Sequence, residues 1–169
     1  MDFGEAIASQ YRAALEMLEQ AIIACPEALW HRQDDPNPFW QVAYHALFFT
    51  HLYAQGSQQT FRPWPGHREE YRFEHSTPAA PAEPATKAVV LEYLAFCRQQ
   101  VAVHVPAIAL DAPSGFAWLP FTRFELHLYS IRHLQQHVGE LMERLGALAG
   151  ELAWISSAPA GRAPQPPGA

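Results

Sequence analysis

Basic residues are scarce in this sequence, and their scarcity excludes one class of partner. Only 11 of the 169 residues are lysine or arginine, against 17 acidic residues, and the formal net charge is −6 at pH 7. Because nucleic-acid binding needs clustered cations that contact phosphates, we expect no nucleic-acid partner. No apolar run has the ~20 residues that cross a bilayer, and neither end reads as a charged segment followed by an apolar one. The sequence therefore predicts a soluble, cytoplasmic protein with no membrane partner.

Cysteine is also rare, and the short motifs of several common catalytic sites are missing. The two cysteines, Cys25 and Cys97, are far apart in the sequence and are expected to be reduced thiols. There is no HExxH motif of zinc proteases, no GxSxG turn of serine hydrolases and no glycine-rich phosphate loop. The repeated Glu-x-x-His pairs of di-iron bundles are missing as well. These absences leave a site for a single metal ion as the simplest hypothesis.

Proline, by contrast, is abundant and unevenly spaced. The 15 prolines leave four long proline-free windows, which are residues 1–25, 39–62, 85–105 and 121–158. Because proline breaks the interior of a helix, these windows are where long helices can form. Apolar residues recur within them at three- and four-residue steps, and no alternating strand pattern is found. The pattern predicts an all-α protein, a four-helix bundle.

The predicted domain organisation is a bundle over residues 1–150 and a tail rich in proline, alanine and glycine over residues 151–169. Trp154 and Ile155 in this tail could contact the bundle. The connection at 63–84 is unusually long for neighbouring antiparallel helices. At about 3.3 Å per extended residue it could run the whole length of the bundle. We therefore expect the second and third helices to be parallel and joined by a long crossover.

Two of the nine histidines are spaced so that they could share a metal ion. His133 and His137 lie four residues apart on the fourth predicted helix, so both imidazoles occupy one face. Glu140 falls on the same face and could be a third ligand or the partner of a ligand. The simpler interpretation is a pair of solvated histidines, which at this spacing is commoner than a metal site.

Another ligand could come from the second predicted helix. His45 shares its face with large apolar residues, so we expect it to point inward, where an imidazole needs a partner. That partner could be a metal ion, but also a backbone carbonyl or a tyrosine hydroxyl. His67 in the crossover is a candidate for an additional ligand at the mouth of the bundle. His51 is expected to face solvent, and His127 to pack in the helix seam as a structural residue.

The histidines lie in two segments that resemble a known family. These segments are PFWQVAYHALFFTHLY, at residues 38–53, and ELHLYSIRHLQQHVGELMERLG, at residues 125–146. With them the sequence resembles the DinB-like family of four-helix-bundle metalloproteins, over most of residues 3–155. The resemblance implies an up-down-down-up bundle in which three histidines, matching His45, His133 and His137, hold a divalent ion with open positions. Related proteins include transferases and isomerases that use low-molecular-weight thiols such as bacillithiol or mycothiol.

The sequence departs from the family at three positions near the histidines. His51 and Gln136 stand where relatives often carry Asp and His, and Glu140 stands where many carry Gln. These departures leave the three histidines intact, so the resemblance implies the metal site but no particular substrate.

A site of three neutral imidazoles leaves a divalent ion its full charge and an open position, which suits activation of a water or a thiol. We expect zinc or nickel, with iron or copper as alternatives, because imidazole suits all four. The main hypothesis is a thiol-dependent S-transferase or isomerase. Its partners would be small molecules, with a low-molecular-weight thiol among them, and the substrate would bind between Phe48, Phe49, Tyr129 and the crossover. Glu140 and Tyr129 are candidates for proton transfer.

Two alternatives to this hypothesis stay open from the sequence. The first is a metal-dependent hydrolase, which would use a water in place of the thiol. The second is a non-enzymatic bundle in which the metal staples the helices or the protein binds a ligand or a partner chain. The high aromatic content also predicts a homodimer.

Overall fold

Each predicted helix has a recognisable start in the structure, a computed structural model that describes residues 2–32, 34–71, 83–158 and 160. Helix α1 spans Phe3–Ala24, the single-turn α2 spans Glu27–Trp30, α3 spans Phe39–Ala54, α4 spans Lys87–His104 and α5 spans Arg123–Leu145. The side chains of Asp2, Thr86 and Thr122 accept a backbone N–H at the starts of α1, α4 and α5. Short 3-10 helices occupy Glu69–Tyr71 and Gly146–Glu151. The predicted all-α architecture is confirmed.

The four long helices form a bundle in which sequence neighbours are not always spatial neighbours. Helices α1 and α3 each pack against both α4 and α5, so α1 lies diagonally across from α3. At one end, Arg144 of α5 donates to the Asn37 carbonyl before α3 at 2.7 Å, and at the other end Arg123 meets the Gly56 carbonyl after α3 at 3.4 Å. These two contacts pair the start of α3 with the end of α5 and the end of α3 with the start of α5, so the two helices are antiparallel.

The contacts of α1 with α4 complete the topology. Lys87 at the start of α4 donates to the Cys25 carbonyl just after α1. At the other end, Gly4 lies so close to Pro106 that a Cβ atom would collide with its carbonyl, which explains the glycine. α1 and α4 are therefore antiparallel. Cys97 of α4 contacts the Leu47 carbonyl in α3 and Gln100 of α4 contacts Gln55 just after α3, so α3 and α4 run in the same direction. This is the expected up-down-down-up order, and the chain between α3 and α4 has to return along the bundle.

Helix α3 lies at the centre of the core, and every one of its residues except Phe49 is buried. On its α4 side it is covered by the first part of the crossover, where Trp64 stacks on Tyr93 with ring centroids 4.8 Å apart and Tyr71 packs on Trp40. Residues 72–82 of the predicted crossover lie outside the described residues. Burial on all sides means that α3 has no solvent-facing side of its own.

Helix boundaries differ from the sequence-based expectation in two places. The second window extended to residue 62, but α3 ends at Ala54. The fourth window extended to residue 158, but α5 ends before Gly146, whose φ of 58° is one that glycine adopts readily. Proline-free windows therefore set upper limits for helices and not their ends.

The beginning of the predicted tail is packed against α1. The backbone N–H of Ala158 donates to the Ser9 hydroxyl at 3.1 Å, and Arg12 donates to the Ala158 carbonyl at 2.6 Å. Ile155 is buried there, whereas Trp154 is 72% exposed and is not the anchor that was expected. Residues 161–169 lie outside the described residues, and the domain boundary at 150 stays a prediction.

Two further expectations concern the cysteines and the membrane. Cys25 and Cys97 are both buried free thiols, as expected. None of the helices in the described part of the chain is long and apolar enough to span a bilayer.

Candidate metal centre

Helices α3 and α5 bring three histidines together at the middle of their interface. His133 Nε2 lies 3.2 Å from His45 Nε2 and 3.2 Å from His137 Nε2. Potential ligand atoms of the three residues all lie within 4.8 Å of one another. The i, i+4 spacing on α5 aligns two of the imidazoles, and the antiparallel packing of α3 places the third opposite them. In the described residues this is the one such group of three or more histidine, cysteine or acidic side chains.

The contacts of His133 Nε2 are difficult to satisfy with hydrogen bonds alone. A nitrogen of a neutral imidazole is either a donor with one hydrogen or an acceptor with one lone pair. His133 Nε2 therefore cannot make a good hydrogen bond to both neighbouring Nε2 atoms at once. A cation shared by the three lone pairs would satisfy both contacts, so the arrangement favours a bound metal ion.

The spacing of the nitrogen atoms also fits a metal ion. Zinc–nitrogen bonds of about 2.0–2.1 Å in tetrahedral geometry place neighbouring ligand nitrogens about 3.3 Å apart. The two Nε2–Nε2 distances of 3.2 Å agree with this value. All three donors are imidazole nitrogens, which zinc, nickel, iron and copper accept. The residues present therefore fit a single divalent transition-metal ion.

Burial keeps His133 in the neutral state that a metal ligand needs. His45 is 7% exposed, and His133 and His137 are partly buried. Burial, together with the nearby His137, lowers the pKa of His133 to about 4. His133 is therefore neutral at physiological pH, so a metal ion would not have to displace the second proton of a charged imidazolium.

An aromatic wall lies beside the cluster on the α3–α5 side. Phe49 packs on His45 with ring centroids 4.8 Å apart and on His133 at 5.4 Å, and Tyr129 stacks over His133 at 6.4 Å. Phe48, which was expected to share this wall, contacts Phe49 and packs also on Phe61 and His67 of the connection after α3. Apolar surface next to the cluster is thus supplied by Phe49 and Tyr129.

His137 is held from its outer nitrogen by a carboxylate. Its Nδ1 lies 3.1 Å from Glu140 Oε2, and the other oxygen of Glu140 accepts a hydrogen bond from Arg144. Both oxygens of Glu140 are therefore engaged, which does not favour the role of a free proton shuttle for this residue. Arg144 was not identified from the sequence, although its i, i+4 spacing from Glu140 is a signal for such a pair.

Comparison with models of protein families identifies the superfamily to which the chain belongs. Residues 10–141 match the model of the DinB superfamily. The chain belongs to this superfamily. Comparisons with curated proteins and with solved structures gave no match. DinB proteins are often metal-dependent enzymes, and a three-histidine cluster that could hold a metal is present in this DinB bundle.

His67, the candidate for an additional ligand, lies outside the cluster of this DinB bundle. Its Nδ1 lies 2.8 Å from the Tyr44 hydroxyl, and its Nε2 lies 3.1 Å from Glu69 Oε2. Tyr44 precedes His45 in α3 and projects from a different side of the helix, toward the crossover. The structure therefore brings together the three histidines of the DinB-like resemblance and leaves His67 apart from them.

Two other histidines of the bundle, His127 and His51, have protein partners. His127 is fully buried in the seam, where its Nδ1 lies 3.0 Å from the Tyr11 hydroxyl, as its expected structural role requires. The expectation that His51 faces solvent is wrong, since it is fully buried and contacts the Tyr93 hydroxyl at 3.1 Å. The helical wheel predicted that this side of α3 faces solvent, but the crossover and α4 cover it.

Proposed function

We propose that the chain is a metal-dependent enzyme that activates a low-molecular-weight thiol for attack on a small electrophilic substrate, either as an S-transferase that leaves the thiol attached or as an isomerase that releases it again. The observation that carries the proposal is the convergence of the Nε2 atoms of three imidazoles in a partly accessible cluster. A divalent ion held there would lower the pKa of a bound thiol or water. Uncharged ligands would leave the ion its full double positive charge, which stabilises a bound thiolate or hydroxide.

The residues around the cluster would have distinct tasks in such an enzyme. His45, His133 and His137 would hold the ion. Phe49 and Tyr129 would pack against the apolar part of the substrate, since both lie against His133. Tyr129, which is partly buried, is the candidate for donating a proton to the product. Its role stays a prediction.

The test begins with untagged, metal-free protein, so that no ion is carried over from purification. Zinc or nickel is added, and the bound metal is measured by elemental analysis, with about one ion per chain expected for one site. The loaded protein is then incubated with a panel of small thiols and electrophiles, and conjugates are measured by mass spectrometry. We expect conjugation by the loaded protein above that of the metal-free protein.

Two variants make this test specific. His133→Ala should lose both the metal and the conjugating activity, whereas His67→Ala, which changes a histidine outside the cluster, should keep both. Conjugation that is equal in the loaded protein and in His133→Ala would contradict the proposal. Hydrolysis of the electrophiles without a thiol would instead identify a metal-dependent hydrolase.

A non-enzymatic alternative is supported by one observation, which is that the cluster joins two helices. His45 belongs to α3, and its two partners belong to α5, so a bound ion would also cross-link the bundle. In this case the metal should raise the melting temperature while thiols and other small ligands leave the spectrum of a cobalt-substituted protein unchanged. A spectral change on thiol addition would favour the enzyme. The expected homodimer stays a prediction.

A further inference from the structure

A row of polar side chains connects the metal-site histidine His137 to the loop before α3. Glu140 Oε2 lies 3.1 Å from His137 Nδ1, and Glu140 Oε1 accepts from Arg144 Nη2. Arg144 Nη1 donates to the Asn37 carbonyl at 2.7 Å and lies 3.7 Å from Asp35 Oδ2. The row thus starts at a candidate ligand, follows α5 for two turns and ends on a different segment of the chain.

The contact of Glu140 determines which nitrogen of His137 carries the proton. An ionised carboxylate can only accept hydrogen bonds, so the contact at 3.1 Å requires a hydrogen on His137 Nδ1. A neutral imidazole has one such hydrogen, and Nε2 then carries the lone pair. Nε2 is also the atom that lies 3.2 Å from His133 Nε2. The hydrogen bond on one side of the ring therefore prepares the other side for a metal ion.

Glu140 needs support to keep this position, and Arg144 supplies it. The Glu140 side chain is 37% exposed, so on its own it could turn toward water. The Arg144 side chain is only 10% exposed, and its position is fixed by the Asn37 carbonyl. A guanidinium is planar and offers several donors in a fixed geometry, so it can hold a carboxylate and a carbonyl together. Arg144 thereby connects Glu140 to a fixed part of the backbone.

We propose that Glu140 and Arg144 are positioning residues that hold His137 as the tautomer with Nδ1 protonated and Nε2 ready to bind metal. The inference rests on the proposed function, because it assigns these residues to the same metal site. Of the roles that the sequence suggested for Glu140, it selects the partner of a ligand over the third ligand and over proton transfer. Neither residue is expected to touch the substrate.

The first readout is the tautomer of His137 in metal-free protein, measured by nitrogen-15 NMR of the imidazoles with His137→Gln for assignment. The wild type should have Nδ1 protonated, and Glu140→Ala should shift the population toward the Nε2-protonated form. Glu140→Gln should keep the wild-type tautomer, since the amide oxygen can still accept the hydrogen bond. This rescue is not expected of a residue that only stabilises the fold.

The second readout is zinc affinity, measured by competition with a chelator. Glu140→Ala and Arg144→Gln should each weaken binding by about 10–100-fold, as is usual for residues that orient a metal ligand. Arg144→Lys should fall between Arg144→Gln and the wild type. The matched control is Arg98→Gln, which breaks the partly exposed Arg98–Glu19 ion pair between α4 and α1. It should leave zinc affinity unchanged.

Each result decides the inference separately from the proposed function. An Nε2-protonated His137 in the wild type would overturn it, and so would unchanged affinity in both Glu140→Ala and Arg144→Gln. If the wild type bound no zinc, the proposed function would fail, while the tautomer comparison would still decide whether Glu140 positions His137. If zinc bound tightly but no thiol chemistry followed, only the reaction would need revision.

Discussion

The two sides of helix α3 both carry histidines among aromatic rings, but the partners of these histidines differ. On the side toward α5, His45 Nε2 lies 3.2 Å from the Nε2 of another imidazole, His133. On the side toward α4, His51 Nδ1 lies 3.1 Å from the Tyr93 hydroxyl, and its Nε2 accepts from the Gln55 amide at 2.6 Å. One helix thus presents two kinds of buried histidine within two turns.

The difference teaches how a structural histidine can be distinguished from a candidate ligand. A neutral imidazole offers one donor and one acceptor, and the surroundings of His51 supply one partner for each. In the cluster, His133 Nε2 faces the Nε2 atoms of both other histidines, and a shared cation would satisfy both contacts. Burial alone does not separate the two, because His45 and His51 are both buried. What separates them is the kind of atom that faces each imidazole nitrogen.

The largest expected effect comes from replacing the histidine on the α5 side. His45→Ala removes one of three ligands, so zinc affinity should fall by more than the about 10–100-fold that is typical of an outer partner. Isothermal titration of metal-free protein with zinc measures this effect. His51→Ala is the matched control, since it removes a buried imidazole from the other side of the same helix. Equal zinc affinities for the two variants would contradict the distinction between His45 as a metal ligand and His51 as a structural residue.

The second effect is on stability, where His51 rather than His45 is expected to matter more. His51→Ala should lower the free energy of unfolding by about 2–3 kcal/mol, because it leaves a cavity and an unpaired Tyr93 hydroxyl in the core. Urea denaturation of the metal-free protein measures it. We expect the loss without any change in zinc stoichiometry. A stability equal to that of the wild type would show that His51 is not the structural residue its contacts indicate.

Much of the fold could be predicted from the sequence because the features that determine it are local. Proline gaps and apolar spacing located the four long helices, and the length of the 63–84 connection indicated that α3 and α4 are parallel. The exact ends of helices were less accessible. The polar residues 55–60 contain no proline, yet they form turns after α3, in which Thr60 bonds the Ser57 side chain.

The candidate site was predictable to a different degree at each residue. The i, i+4 pair His133 and His137 is a local pattern, and the inward direction of His45 followed from its apolar neighbours. The environment of His51 and the position of His67 depend on where the crossover packs, which periodicity does not encode. For the same reason Arg144 could be paired with Glu140 by spacing, but its bond to the Asn37 carbonyl could not be foreseen.

The third effect is a pH dependence that His51 adds to stability. Burial, aided by the nearby His67 and His104, lowers the pKa of His51 to about 4 in the folded protein. In the unfolded chain the value is about 6.5, so the unfolded chain binds the proton first as the pH falls. The contribution is complete above about pH 6.5 and is lost as the pH falls toward about 4.

His51→Gln isolates this contribution because glutamine cannot titrate. Between pH 7 and pH 5 the wild type should lose about 1–2 kcal/mol more unfolding free energy than the variant. Urea denaturation at several pH values, with a chelator present, provides the measurement. His127 has a pKa lowered to about 4 by burial and by Arg123, but it contributes equally to both proteins. Parallel pH profiles would contradict the prediction.

The smallest effect concerns the crossover and separates it from the metal cluster. Tyr44→Phe keeps the ring that packs on Tyr71 but removes the hydroxyl that contacts His67 Nδ1 at 2.8 Å. We expect a loss of about 1 kcal/mol, typical of one hydrogen bond, because the partly accessible His67 can turn to water. Zinc affinity should not change, although Tyr44 is the immediate neighbour of His45. Weaker zinc binding in Tyr44→Phe would instead connect the crossover to the metal site, and the two sides of α3 would then act as one unit.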